Sequence, residues 1–165
     1  MQRALSGPAR PRILAGMKAV VQRVARAEVA VGGETAGRIG GGLLVYVGMA
    51  PSDTRQDARK LADKVANLRI FHDAEGRLNR SVRDIGGEVV AVPNFTLQAD
   101  ARKGRRPALD GAARPTEAEP LFEAFVQALR SQVGRVEKGV FGAEMRIDST
   151  AEGPVNILLD MPPSE

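Results

Sequence analysis

The feature that most constrains the fold is a Val-rich run over residues 18–31 that ends on Gly32-Gly33. A β-branched run of that length favours an extended strand, and the glycine pair supplies the positive φ angles of a tight hairpin turn. A second glycine cluster, Gly40-Gly41-Gly42, then leads into LLVYVGM, an apolar run that reads as a buried strand. The chain is thus committed early to a sheet with a covered face. Helices must supply the cover, and two are signalled. In the first, Ala58, Leu61, Ala62, Val65 and Leu68 recur at helical spacing behind Ser52 or Asp53 as cap, with Gln56 as capping-box partner. The second opens at Thr116 with Glu119 as box partner and Pro120 in its first turn. Leu121, Phe122, Phe125, Val126, Leu129 and Val133 form its apolar stripe, and Gly134 stops it.

Between these helices, residues 69–71 read as extended and 72–76 as a loop. GGEVVAVPNFTL then reads as a strand interrupted by Pro93. Proline donates no ladder hydrogen bond, which places that strand at an edge or at a bulge. A polar loop follows over residues 98–114, and residues 136–161 read as consecutive strands turning at Gly139, Gly142 and Gly153-Pro154. The order of elements predicts an α/β fold, with mixed β-sheets and two main helices on one face. Residues 17–165 form one domain. Residues 1–16, with two prolines, three arginines and no acidic residue, read as a disordered extension or a mis-started frame.

The available chemistry is narrow. There is no cysteine and only one histidine, His72. Thiolate catalysis, disulfides, Cys-based zinc and two-His metal sites are therefore excluded. We expect no metal and no cofactor. No run approaches the roughly 20 apolar residues of a membrane span, so a soluble, cytoplasmic protein without a membrane partner is expected. Of the net charge of +4, three units come from Arg3, Arg10 and Arg12, which leaves the body nearly neutral.

Only a local cluster can then argue for a polyanion. Arg102, Lys103, Arg105 and Arg106 supply it, since guanidinium forks and ammonium groups suit a phosphate backbone. GRIGGG precedes a strand rather than a helix, so it reads as a turn and not as a phosphate loop. His72, in a turn-like stretch without a visible partner, reads as a surface residue.

Residues 17–160 resemble the D-aminoacyl-tRNA deacylase family. The resemblance runs in order through MKAVVQRV, NLRIF, NFTLQAD, RKGRRP, EPLFEAF, GVFGAEM and EGPVNILLD. It implies a three-layer β/β/α homodimer whose sites lie at the subunit interface. Phe95 and Thr96 would be catalytic, with Asn94 and Leu97 beside them. Gly153 and Pro154, joined by a cis peptide bond, would reach in from the partner subunit, held by Arg23. Arg102, Lys103, Arg105 and Arg106 would bind the tRNA.

The implied reaction is hydrolysis of D-aminoacyl-tRNA, and of Gly-tRNA. The substrate's own ribose hydroxyl and backbone N–H groups near Phe95 and Thr96 would do the work of a triad. Two departures stand out: Pro93-Asn94 replaces the family's Ser-Gln, and the second motif has Ala151 and Asn156 where the family has Asn and Thr. Animal-type relatives with proline at the first position are looser in chirality. A relaxed-chirality deacylase and a non-catalytic RNA-binding homodimer are the alternative readings.

Overall fold

The computed structural model describes residues 16–164. Apart from Gly16, the expectation for residues 1–16 lies outside the described residues. In chain order the elements are β1 (Lys18–Val31), β2 (Glu34–Ile39), β3 (Gly42–Gly48), α1 (Arg55–Asn67), β4 (Phe71–His72) and β5 (Leu78–Arg80). There follow β6 (Glu88–Pro93), a 3₁₀ turn (Phe95–Gln98), α2 (Pro115–Arg130), β7 (Val136–Lys138) and β8 (Arg146–Asp160). Gly32 and Gly33 take φ of 58° and 84° between β1 and β2, the hairpin the sequence predicts.

The main sheet runs β2-β1-β3-β6-β7, with β8 also paired to β1. It is mixed: β3–β6 and β6–β7 are parallel, the other pairs antiparallel. Long β1 shares one side between two neighbours, β3 along Lys18–Val24 and β2 along Ala27–Val31. Its other side carries β8, from Lys18↔Asp160 to Ala30↔Arg146.

Alternation along β3 and β6 feeds two apolar clusters. Leu43, Val45, Val89 and Ala91 meet α1 and α2, where Leu61, Val65, Phe122, Phe125 and Leu129 are fully buried. Leu44, Val90 and Val92 face the opposite way and pack with Val29 and Ile39 of the β1–β2 hairpin. Both helices therefore cover one side, as the element order predicts. Among the described residues, no helix is long and apolar enough to cross a membrane.

Local details correct several sequence expectations. Thr54, not Ser52 or Asp53, caps α1, and its box partner is Asp57 rather than Gln56. Thr54 N–H donates to Asp57 Oδ2 at 2.7 Å, and Asp57 N–H donates back to Thr54 Oγ1 at 3.3 Å. Asp53 is not free to cap, because its Oδ2 accepts from Ala50 N–H at 2.6 Å. α2 starts at Pro115, whose missing N–H costs nothing in a first turn, and no Thr116–Glu119 box forms. Pro120 thus lies inside the helix. The helix ends at Arg130, ahead of Gly134, with Ser131 as C-cap. Gly153-Pro154 is not a turn between strands, since β8 runs through it.

Asp53 carries a measurable consequence. Burial, with the nearby Asp57 charge adding to it, pushes its carboxyl up to about 6 from 3.8. The folded state then binds a proton that the unfolded chain has released, so ionised Asp53 destabilises the fold above about pH 6. That penalty is relieved as pH falls from about 6 to about 4. Asp53→Asn should raise the melting temperature at about pH 7.5 and change it little at about pH 4.5. Thermal melts at the two pH values check this.

Candidate active site

β6 lies between β3 and β7 and pairs with both without a register shift, so the edge or bulge expected at Pro93 is corrected. Pro93 is tolerated because it ends the strand, where pairing with β7 has already stopped at Ala91↔Lys138. Pairing to β3 continues through Pro93, and Asn94 N–H donates to Val47 O at 2.8 Å. Asn94 then caps the 3₁₀ turn. Its Oδ1 accepts from Thr96 N–H at 3.2 Å and from the Thr96 hydroxyl at 2.5 Å.

This small network decides what the turn can do. A short Asx side chain bonds its own backbone two residues on, which a longer Gln does poorly. Asn94 therefore folds inward. The Thr96 hydroxyl proton is directed at a neutral amide oxygen, which cannot act as a base, while its lone pairs stay outward. Thr96 N–H is spent on the same atom. As the first residue of the turn, Phe95 has no acceptor for its N–H within it. Of the backbone N–H groups near Phe95 and Thr96 expected to stabilise an oxyanion, that of Thr96 is thus committed to the cap.

The turn seats on the end of β3 at Gly48. A Cβ there would stand 2.9 Å from Asn94 O and 2.9 Å from Leu97 Cβ, so only glycine allows this approach. Leu97 therefore lies under the turn as an anchor. Phe95, by contrast, is 59% exposed. Its ring borders a cleft of about 670 Å³, shared with Asn94, Tyr46, Met49, Phe141 and Met145. Glu119 is the single charged residue in its lining among the described residues, so the cleft suits a flat, largely apolar group. Burial raises the Tyr46 hydroxyl above its ordinary range, keeping it protonated.

The second constellation centres on buried Arg23. Along β8 the register jumps from Ala151↔Val24 to Asn156↔Gln22, so residues 152–155 bulge opposite Arg23 alone. Arg23 Nε donates to Glu152 O at 3.1 Å, and Nη1 donates to Ile70 O at 2.8 Å. The guanidinium thus ties the bulge to the segment between α1 and β4. The Gly153–Pro154 peptide bond in that bulge is cis. Both residues are exposed, and neither lines the cleft that holds Phe95. One chain therefore carries both constellations without joining them in that cleft.

The basic loop leaves the 3₁₀ turn directly. Paired hydrogen bonds between Asp100 and Ala108, at 2.8 and 2.9 Å, close it at its base. Its four cations are not equivalent. Arg102 grips Asp100 through Nε at 2.9 Å and Nη2 at 2.6 Å, and this pairing holds the Asp100 carboxyl far below the usual carboxylate range. Lys103, Arg105 and Arg106 have no such partner among the described residues and are exposed. His72 is exposed at the end of β4, as expected.

The model of the D-Tyr-tRNA(Tyr) deacylase family matches residues 20–160. The chain belongs to that family. It is 54% identical over 144 residues to a D-aminoacyl-tRNA deacylase of Anaeromyxobacter dehalogenans, covering 87% of this chain and 97% of that protein. A D-aminoacyl-tRNA deacylase of Thermus aquaticus is 50% identical over 144 residues, or 87% of this chain and 95% of that one. A solved structure of a c-Myc DNA Unwinding Element Binding Protein superposes with a TM-score of 0.83 at 38% identity. It covers 88% of this chain and 99% of that one.

Within this deacylase family member, sequence reasoning found the basic loop, while the residues of the turn and of the Gly-Pro bulge came through the resemblance alone. By pattern the first read as strand, where a 3₁₀ turn forms, and the second as a turn between strands, where β8 bulges. Sequence reasoning missed Gln98, placed by sequence in a polar loop but buried at 7% exposure, and it missed the neutralising role of Asp100. The Asp100–Arg102 spacing was a usable signal for the latter. Nothing in the sequence marked Gln98.

Proposed function

We propose that the protein hydrolyses the ester bond of D-aminoacyl-tRNA, releasing the free amino acid and the tRNA as chiral proofreading in the cytoplasm. The observation that carries this reading is the site at the end of β6. There, an exposed Phe95 borders an apolar cleft beside a Thr96 hydroxyl that is bonded to Asn94 and not to a base, in a chain about half identical to curated D-aminoacyl-tRNA deacylases. The cleft receives the aminoacylated end of the tRNA.

Water attacks the ester carbonyl, and the C–O bond to the ribose breaks. The adjacent ribose hydroxyl of the substrate positions the water and relays its proton to the leaving oxygen. Phe95 N–H stabilises the oxyanion, and a donor so placed is worth roughly 2.7–4 kcal/mol. Thr96, with its proton held by Asn94, accepts a hydrogen bond and orients substrate or water. It is not a nucleophile, because no group beside it can take its proton.

The other half of the site comes from a second copy. Gly153 and Pro154 of a partner subunit enter the Phe95 cleft, making a three-layer homodimer with shared sites. Two features support this. The bulge is exposed and away from its own chain's cleft, and β8 has an open edge on which Leu158 is 77% exposed. Main chain lying against Cα rejects an L side chain by clash and leaves a D side chain outside. Glycine, with no side chain, is hydrolysed too.

The test is side-by-side deacylation of D-Tyr-tRNA and L-Tyr-tRNA at fixed salt. Loss of the D ester with the L ester spared supports the proposal. Loss of both identifies a relaxed-chirality enzyme, the reading that Pro93, Ala151 and the inward Asn94 favour. Loss of neither leaves an RNA-binding homodimer.

A Thr96→Val variant separates orientation from covalent catalysis. We expect kcat to fall by about tenfold, as misplacement of a reacting group does. Single-turnover traces should show no burst, and mass spectra of quenched wild-type enzyme no acyl adduct. An adduct on Thr96 overturns this mechanism.

A further inference from the structure

We infer that Gln98 is a positioning residue for the catalytic turn, fastening it at once to the end of β3 and to the residue that precedes the first strand. The inference rests on the site assignment proposed above. Gln98 is the last residue of the 3₁₀ turn that carries Phe95 and Thr96, and it is 7% exposed. Its side-chain amide donates both hydrogens, to Gly48 O at 2.9 Å and to Gly16 O at 2.9 Å.

The arrangement leaves the turn few other anchors. Within it, Asn94 Oδ1 accepts from Thr96, Asn94 O accepts from Leu97 N–H at 3.4 Å, and Ala99 N–H closes on Thr96 O at 3.0 Å, all of them bonds internal to the turn. Backbone contact to β3 is made at its start, through Asn94 N–H to Val47 O. At its far end the turn is held by Gln98, packed over Gly48, where a Cβ would come within 3.6 Å of Gln98 Cγ. A planar amide with two donors at fixed separation sets both the height and the rotation of the turn, as one bond alone cannot. Gly16 lies before the stretch that the family model matches, residues 20–160. One of the two fastenings of the turn therefore lies outside the matched stretch. Gly16 is itself closely fitted, since a Cβ on it would overlap Met161 O at 1.8 Å.

The test uses the full chain. Gln98→Met keeps length and approximate volume but removes both donors. Gln98→Asn keeps the donors on a shorter arm that reaches one carbonyl at most, and it serves if the Met variant folds poorly. For folded enzyme we expect kcat on D-Tyr-tRNA to fall about ten- to hundredfold for Met, with Asn between Met and wild type. KM for tRNA should stay within about twofold, because the basic loop is closed by its own Asp100–Ala108 bonds.

Amide hydrogen exchange supplies a readout that does not need activity. Ala99 N–H should exchange faster in both variants while β3 and β6 amides keep their protection. A lowered melting temperature with unchanged kcat and unchanged Ala99 exchange would mean a merely structural glutamine and would overturn the inference. An inactive wild-type protein overturns the deacylase reading instead. In that case accelerated Ala99 exchange still supports Gln98 as the fastening of the turn, and unchanged exchange rejects it.

Discussion

Gly153→Ala is expected to cut D-aminoacyl-tRNA hydrolysis by about a hundredfold and to lower the D-to-L rate ratio, with a much smaller effect on melting temperature. Gly153 sits at φ 135°, a backbone conformation that side chains disfavour. A Cβ there would meet Val155 N at 2.7 Å, Val155 Cγ2 at 2.9 Å and Arg23 Nη2 at 3.2 Å. Two of those atoms belong to the bulge itself, and the third to the guanidinium that holds it. The bulge must therefore shift as a unit.

It is free to do so without unravelling β8, because pairing resumes on both sides, at Val24↔Ala151 and Gln22↔Asn156. Displacement by about an ångström is enough to cost about a hundredfold in a positioned reaction. If main chain at Gly153 reads chirality in a partner's cleft, the same shift opens room for an L side chain. Rates on both enantiomers, taken with a melting curve, check the prediction. An unchanged D rate would place the bulge away from the reacting centre.

Arg23→Leu complements it, because it strips the donors from Glu152 O and Ile70 O without touching the bulge sequence. It should loosen rather than crowd the Gly-Pro segment, lowering selectivity in the same direction. The buried Ile70 carbonyl left unpaired also costs about 1–3 kcal/mol, so the loss of stability should be larger than for Gly153→Ala.

How far the sequence could be read depended on whether a signal was local. The β1–β2 hairpin was legible because Gly32-Gly33 acts through its own φ angles. The buried faces of α1 and α2 were legible because Leu61, Val65, Phe122 and Phe125 recur at helical spacing. Cap assignments failed by a residue or so because several polar residues compete at each end. Asp53 lost the α1 cap to Thr54 because Ala50 N–H claimed its carboxylate. Pro93 misled because a proline disfavours only the ladder side it faces, and which side is open depends on where β7 stops. Gln98 was invisible for a related reason: its partners, Gly16 and Gly48, are remote in sequence and offer only backbone carbonyls. The turn and bulge residues were legible through family resemblance, not through residue pattern.

The second large effect is electrostatic. Neutralising Lys103, Arg105 and Arg106 together should raise KM for tRNA by about one to two orders of magnitude at moderate salt. It should also lower the slope of log affinity against log salt by about 2–3, since each phosphate contact contributes about 0.7–0.9. Arg102 is left out of that set because its guanidinium is already satisfied, gripping Asp100 at 2.6 Å. Asp100→Asn supplies the opposite change. It removes the compensating carboxylate while the backbone bonds to Ala108 still close the loop, so Arg102 joins the free cations and KM should fall a few-fold. Opposite shifts from the two variants, with kcat little changed in both, would show that the loop acts through net charge on the tRNA backbone. A KM and salt slope indifferent to either variant would mean that these cations face solvent only, and that the tRNA is held by the cleft and the partner subunit alone.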